Sequence, residues 1–142
     1  MIIPDINLLI YAHHSADPQH AAAKKWWEDC INNSEPVGLP WIVMSGFIRL
    51  MTHPRILEKP MPTTDATACV RSWLDQASVI TLEPGTRFPN IFFNFLEDLG
   101  SAGNLTTDAQ IAALAVEKQA EVHSCDSDFA RFAGLSWKNP IA

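Results

Sequence analysis

The chain opens with a short apolar run that one acidic residue interrupts. Met1–Pro4 reads MIIP, Asp5 follows, and the next residues, INLLIYA, are again mostly apolar. This pattern predicts a short buried strand that ends in a turn near Asp5. A buried carboxylate is costly unless it is paired or holds a cation. Asp5 is therefore either a satisfied structural aspartate or part of a site, and the pattern alone favours neither.

Two helices are predicted in the next part of the chain. Asp17 and Pro18 supply an N-cap and a first-turn proline for a helix that continues to about Asn32. Pro40 opens a second, apolar helix with the sequence WIVMSGFIRLMTH. This helix should end before Pro54, because the residue that precedes a proline avoids helical geometry.

The middle of the chain alternates between helix and strand. Thr63 or Thr64 begins a helix with apolar residues at helical spacing, and the β-branched run SVITL follows it as a strand. NIFFNFLEDLG then predicts another helix, which Gly100 ends.

The clearest helix start lies in the segment TTDAQIAALAVEKQ. Thr107, with Gln110 three residues later, has the spacing of a capping box. This start places Asp108 in the first turn, where a carboxylate meets the positive end of the helix dipole. Beyond this helix, AEVHSC predicts a strand, DSDFARFAGL a short helical segment and LSW an edge strand.

Strands that alternate with helices indicate an α/β fold whose parallel sheet is covered on both faces. The chain has 142 residues, of which 47% are hydrophobic and 18% charged, as in an ordinary globular protein. It contains no repeat, low-complexity tract or long linker. We therefore expect one domain, residues 1–142.

Charge and cysteine content narrow the functional classes. A net charge of −6 and a pI near 5.2 argue against a general nucleic-acid coat protein, which would carry a broad basic face. They do not exclude a nuclease, because a bound divalent cation neutralises part of an acidic cluster. Three cysteines without CxxC spacing indicate buried thiols in a reducing compartment. With no signal peptide and no apolar run near the ~20 residues of a membrane span, we expect a cytoplasmic protein.

Four carboxylates are predicted to meet at one edge of the sheet. Sites in open α/β sheets form beyond the carboxyl ends of the strands, where Asp5, Asp126 and Asp128 fall. Asp108 begins a helix that packs on the same sheet. Mg²⁺ takes oxygen ligands and is usually held by one or two carboxylates plus substrate phosphates. The set therefore favours phosphodiester hydrolysis by a metal-activated water, although each acid taken singly could be a turn or cap residue.

Three segments together resemble a known family. DINLLIYA, TTDAQIAALA and SCDSDFARFAGL are similar to the PIN domain and, within it, to the VapC-like ribonuclease toxins of bacterial toxin–antitoxin pairs. The resemblance covers almost the whole chain. It implies a three-layer α/β/α sandwich around a parallel β-sheet, cleavage of RNA that depends on Mg²⁺ or Mn²⁺, and a cognate antitoxin that blocks the site. A homodimer is also expected.

The resemblance also implies the roles of individual residues. Asn7 matches the asparagine of the first motif and is expected to orient Asp5, and Thr107 is expected to support the site beside Asp108. Four acids match the motifs and are expected to bind the metal and act in catalysis: Asp5, Asp108, Asp126 and Asp128.

One position departs from the family pattern. The family usually places a glutamate three residues before the arginine of its second-helix motif, whereas this chain has Gly46 three residues before Arg49. The remaining acids suffice, or Glu97 or Asp98 reaches in from a neighbouring helix, or the site is weakened. We expect the first, because the other four acids are intact.

Two other functions compete with a nuclease. A PIN-fold module could bind RNA or a protein partner without cleaving, and Gly46 would then mark the loss of catalysis. A haloacid-dehalogenase-like phosphatase would need a second acid two residues after the first, where Asn7 stands.

The histidines and tryptophans are assigned to structure rather than chemistry. Three histidines without zinc-ligand spacing are predicted to be exposed in a loop: His13, His14 and His20. His123 is predicted to be packed in its strand. Three tryptophans, which could also line a dimer surface, are predicted to lie in the core: Trp26, Trp27 and Trp41.

Overall fold

Five short strands form one sheet at the centre of the fold. The computed structural model describes all residues, 1–142. Its strands are β1 (Ile2–Pro4), β2 (Val37–Pro40), β3 (Val79–Leu82), β4 (Glu121–His123) and β5 (Ser136–Lys138). Every neighbouring pair is parallel, and the order across the sheet is β3-β2-β1-β4-β5. The predicted parallel sheet is confirmed, with LSW contributing to an edge strand.

Six helices cover this sheet. They are α1 (Ile6–His13), α2 (His20–Asn32), α3 (Trp41–Met51), α4 (Thr63–Leu74), α5 (Phe88–Leu99) and α6 (Thr106–Lys118). Helix α1 packs on α2 and α3, α3 packs on α4, and α5 packs on α6. The result is the predicted three-layer α/β/α sandwich. No helix is both long enough and apolar enough to cross a membrane.

The central position of β1 determines where the first acid lies. Ile2, Ile3 and Pro4 stand opposite Glu121, Val122 and His123 of β4. The backbone N–H of Asp5 then donates to the carbonyl of His123 at 2.9 Å, which extends the pairing by one step. Asp5 and the residue after His123 therefore leave the sheet side by side.

The structure corrects the predicted start of the chain. The apolar residues after Asp5 form α1, which the pattern did not predict as a helix. Helix α2 begins at His20, not at Pro18, and Asp17 accepts a hydrogen bond from the N–H of Gln19 at 2.8 Å. Asp17 therefore closes the turn before the helix instead of capping it.

The predicted capping box at Thr107 is wrong. A 3₁₀ turn, Gly103–Leu105, runs directly into α6, and the cap residue Leu105 makes no side-chain hydrogen bond. The residues before α6 belong to this 3₁₀ turn, and no side chain caps the helix. Asp108 nevertheless lies in the first turn, as predicted. The other element that the pattern missed is β2, whose four residues, VGLP, include glycine and proline.

Aromatic rings join the helices on one side of the sheet. Phe47 and Trp73 meet edge-on with ring centroids 4.7 Å apart, and Trp27 contacts Trp73 at 5.5 Å. His13 joins this cluster at 5.3 Å from Phe47. The prediction of an exposed loop histidine is therefore wrong for His13, whose pKa is lowered by burial. Trp41 is 53% exposed, so its predicted core position is also wrong.

The remaining histidines and tryptophans are partly or fully enclosed. His14 and His20 are half-buried, not exposed, and Nδ1 of His20 lies 2.8 Å from the carbonyl of Tyr11. His123 is packed, as predicted, with 4% of its surface exposed. The Trp26 indole N–H donates to His123 Nδ1 at 3.0 Å. An indole can only donate, so the His123 proton sits on Nε2, which lies 3.0 Å from a Glu121 carboxylate oxygen.

Substitution of Phe47 by alanine should test the aromatic cluster. Phe47 is fully buried, so Phe47→Ala leaves a cavity and should lower the free energy of unfolding by about 3–5 kcal/mol. Phe93 is 53% exposed, and Phe93→Ala should cost less than about 1 kcal/mol. Urea unfolding of both variants measures the difference, and equal losses would contradict this account of the core.

Candidate active site

Three aspartates converge beyond the carboxyl ends of β1 and β4. Asp108 comes from the first turn of α6, whereas Asp126 and Asp128 belong to the segment that follows β4. One carboxylate oxygen from each lies within 4.8 Å of the other two. All three are half-buried. Two separate stretches of chain thus bring acids to one edge of the sheet.

Asp5 lies behind this group and is almost fully enclosed. Only 6% of its surface is exposed. The backbone N–H of Ile6 donates to Oδ1 at 2.7 Å, and the hydroxyl of Ser124 donates to Oδ2 at 2.7 Å. Burial raises the pKa of Asp5, the two hydrogen bonds oppose this effect, and the charge of Asp126 adds to it. Asp5 is therefore both the cap of α1 and a charge coupled to the cluster.

Ser124 connects the two halves of the site. It is fully buried directly after β4, at the level of Asp5. Its Oγ donates to Asp5 and accepts from the backbone N–H of Asp126 at 2.9 Å. The sequence analysis did not identify this residue. The available signal was a small hydroxyl side chain at the end of a strand that pairs with the strand of Asp5.

Asn7 and Thr107 lie near the acids but do not contact them. The Asn7 side-chain N–H points to Ser124 Oγ at 3.4 Å, so Asn7 reaches Asp5 only through the serine. Its Oδ1 is buried without a hydrogen-bond partner. Thr107 is exposed at the start of α6, next to Asp108 in sequence. Thus Ser124 is the residue whose side chain bonds directly to the Asp5 carboxylate and to the backbone N–H of Asp126.

The pKa of Asp108 is raised by its surroundings. Burial first, and then the negative charges of Asp5 and Asp126, raise its pKa to about 7. A hydrogen bond shared with Asp126 and the charge of Asp128 act in the same direction. Asp108 is therefore partly protonated near neutral pH when no cation is bound.

No acid of α5 takes the place of the glutamate that the family motif has at position 46. Gly46 is buried in α3, and a side chain there would collide with Cδ1 of Ile6. Glu97 and Asp98 are exposed near the end of α5 and are not part of the three-carboxylate group. The acids that meet at this edge are therefore those from the sheet ends and α6.

The donor set fits a hard divalent cation. Only oxygen ligands are present in the group, with no histidine or thiolate, which is the chemistry that Mg²⁺ or Mn²⁺ prefers. Burial raises the pKa of Asp108 most, the neighbouring negative charges raise it further, and a cation between the carboxylates would offset both effects. Asp108, Asp126 and Asp128 are the residues placed to hold it.

The sequence of the chain matches a known domain family and a named relative. The model of the PIN domain matches residues 2–135. The chain is 49% identical over 141 residues to a protein of Mycobacterium tuberculosis named Ribonuclease VapC33, with 99% of each chain covered.

Solved structures share the fold at much lower identity. VapBC-1 from nontypeable Haemophilus influenzae superposes with a TM-score of 0.70 at 18% identity, covering 100% of both chains. Mycobacterium tuberculosis VapC20, described as a sarcin-ricin loop cleaving toxin, gives a TM-score of 0.66 at 17% identity. It covers 95% of this chain and 96% of its own. At these identities the likeness concerns the fold.

Thermal stability should depend on pH through Asp108. The folded state binds the Asp108 proton more tightly than the unfolded chain, because the pKa rises from 3.8 to about 7 on folding. Stability from this group is fully present below about pH 4 and is lost as the pH rises through about 7. The contribution of Asp108 to the Tm of the metal-free protein should therefore fall between about pH 4 and about pH 7, the window that the two pKa values set. Asp108→Asn should flatten this fall, and parallel curves for the two proteins would contradict the assignment.

Removal of the Ser124 hydroxyl should loosen the site. Ser124→Ala leaves Asp5 with one donor fewer and the Asp126 N–H without its acceptor, at a cost of roughly 1–3 kcal/mol. Ser72, an exposed serine of α4, provides the control, since Ser72→Ala should change stability by less than about 0.5 kcal/mol. Urea unfolding at neutral pH compares them. A neutral Ser124→Ala would show that the serine does not support Asp5.

Proposed function

The chain belongs to the PIN domain family, and from this membership we propose that residues 1–142 form one PIN domain that acts as a metal-dependent endoribonuclease. The observation that carries the proposal is the convergence of Asp108, Asp126 and Asp128 in front of the buried Asp5. The 49% identity to Ribonuclease VapC33 across the whole chain supports RNA as the substrate. In this function the protein is the toxin of a toxin–antitoxin pair.

In the proposed reaction, the role of the carboxylates is to bind the divalent cation. Asp108, Asp126 and Asp128 would hold Mg²⁺ or Mn²⁺, and Asp5 would contribute negative charge from behind while Ser124 fixes its orientation. When bound, the cation polarises the scissile phosphate and lowers the pKa of the attacking water. Water forms a bond to phosphorus while the bond from phosphorus to the leaving oxygen of the RNA strand breaks; the water loses a proton to solvent and the leaving oxygen takes one up, so no serine or cysteine nucleophile is required. Asp108, whose pKa is raised by burial and by the neighbouring negative charges, would lose its proton to solvent on binding the cation, because a carboxylate ligand must be deprotonated.

The glycine at position 46 does not remove this chemistry in our proposal. One or two carboxylates plus substrate phosphates are enough to hold Mg²⁺, and this chain presents three within reach of one another. The remaining coordination positions are left to water and to the RNA. The acids of α5 are not needed.

A cognate antitoxin and a second copy of the chain are the proposed protein partners. The fold match to VapBC-1 supports an antitoxin that blocks the site. Large apolar side chains remain exposed on the monomer, among them Trp41 and Phe93, each 53% exposed, and this supports a homodimer. The three cysteines are free thiols, which supports a location in the reducing cytoplasm.

A binding-only module is the second candidate, and Gly46 is the observation that favours it. Such a module would bind RNA or a protein partner at the same edge of the sheet. It would need neither divalent metal nor intact carboxylates for its effect.

Cleavage of RNA by the purified chain tests the proposal. With Mg²⁺ or Mn²⁺ the protein, freed of any antitoxin, should cut total cellular RNA, and a chelator should stop it. Asp126→Asn should reduce the rate by more than roughly 100-fold, because it removes one of the converging ligands. Asp98→Asn, a matched change at an exposed acid of α5, should leave the rate unchanged.

Each other result has a definite meaning. Cleavage that persists in chelator or in Asp126→Asn would contradict a metal site at these acids. RNA binding without cleavage, from protein shown to be folded, would favour the binding-only module. Loss of activity in Asp98→Asn would show that α5 completes the site.

A further inference from the structure

A cavity lies beside the carboxylates and is not explained by the metal site. It encloses about 380 Å³ between the start of α1, the middle of α3 and the start of α6. Its lining residues are Ile6, Ile42, Ser45, Gly46, Arg49 and Thr107. Ile6 directly follows Asp5 and Thr107 directly precedes Asp108, so the cavity adjoins the site on the α3 side. Its volume is in the range of about 300–1,000 Å³ that is typical of small-ligand sites.

We infer that this cavity is a subsite for a phosphate of the RNA strand next to the scissile one, with Arg49 as its ligand. This inference rests on the proposed function and specifies how the same site engages its substrate. The polar groups of the lining are one guanidinium and two hydroxyls, and no carboxylate is among them. A guanidinium recognises phosphate through paired hydrogen bonds, so the chemistry of the lining selects an anion.

Arg49 has no partner within the protein. Its side chain is exposed and takes part in none of the ion pairs of the chain. An arginine in the last turn of a helix often serves the last carbonyls, but here these are already bonded. The carbonyl of Ile48 accepts from Thr52, that of Leu50 from Thr52 and His53, and that of Met51 from Met61. The guanidinium is therefore available to an external ligand.

Gly46 keeps this arginine free of an internal carboxylate. Residues three apart on a helix are neighbours, so an acid at position 46 would neutralise Arg49 from one turn away. Instead, the side chain of Ile6 fills the space that a Cβ at position 46 would need. Thr107, an exposed residue of α6 that also lines the cavity, carries a hydroxyl that can add a second donor. The departure from the family motif thus exchanges a negative side chain for an anion-accepting cavity.

Substitution of Arg49 tests the subsite. In an Asp126→Asn background with Mg²⁺, where no cleavage is expected, binding of a fluorescein-labelled short single-stranded RNA is followed by anisotropy. Arg49→Gln should weaken binding about tenfold, as expected for the loss of a charged hydrogen bond, and Arg49→Lys should weaken it less. The salt dependence of log K should become shallower by about 0.7, the value for one phosphate contact on a single strand.

Arg71 provides the matched control. It is also an exposed arginine in the last turn of a helix and is also absent from the ion pairs. Arg71→Gln changes the net charge by the same amount, so it should leave RNA affinity within about twofold, because screened distant charges contribute little. Equal weakening by both variants would show that Arg49 acts on RNA binding only through the net charge of the protein, and would overturn the subsite.

A second variant examines the cavity from position 46. Gly46→Glu in an Ile6→Ala background gives the new side chain room and places a carboxylate beside Arg49. Measured without divalent cation, so that the new carboxylate cannot act through a bound metal, it should weaken RNA binding by a factor similar to that of Arg49→Gln, relative to Ile6→Ala alone. Unchanged binding in this double variant would contradict the role of Arg49.

The outcomes separate this inference from the proposed function. If the native chain cuts RNA and Arg49→Gln neither weakens binding nor raises KM, the subsite is wrong and the nuclease stands. If the native chain does not cut but its RNA affinity depends on Arg49, the subsite stands without the nuclease. If Arg49→Gln affects only inhibition by an antitoxin, or if no RNA binds, the cavity is not an RNA subsite.

Discussion

The register between β1 and β4 is the constraint on which the rest of the site depends. Because Pro4 stands opposite His123, Asp5 and Ser124 leave the sheet together and form a buried hydrogen bond. The same hydroxyl accepts from the Asp126 backbone and so fixes the segment that carries the other acids. A shift of one residue would turn every side chain of β1 to the opposite face and break this connection. The hydrophobic core and the acidic edge are therefore products of one pairing.

The electrostatic interactions among the carboxylates at the sheet edge destabilise the folded state. Half-buried carboxylates that lie close together lose hydration and repel each other, and the pKa of Asp108 is raised first by burial and then by the neighbouring charges. Buried alanines and aliphatic side chains of α6 hold that helix against the sheet regardless. The apolar packing thus supplies the stability that the carboxylates remove, which is the usual balance at a functional site. A bound cation would make the contribution of these carboxylates to the stability of the fold favourable.

The sequence predicted those parts of the molecule whose signals are local. Gly100 ends its helix with φ of 74°, and Asp108 lies in a first turn, because glycine and helix-dipole effects act within a few residues. The short strand β2 was missed, because VGLP resembles a loop until its neighbours bury it on both sides. Ser124 was missed for the same reason, since its role exists only through Asp5, which lies 119 residues away. Long-range complementarity leaves no periodic pattern to read.

The contact between Ile6 and Gly46 links two positions that are forty residues apart in sequence. A side chain at position 46 requires the end of the Ile6 side chain to move aside or a smaller residue at position 6, whereas a smaller residue at position 6 needs no prior change. The two sites are therefore epistatic, and mutational paths between the glycine form and a side-chain-bearing form have a preferred order. Among descendants of one ancestor, the identity of residue 6 should restrict which residues appear at position 46. The glycine at position 46 would then be accompanied by a matching residue at position 6, which lies outside the second-helix motif.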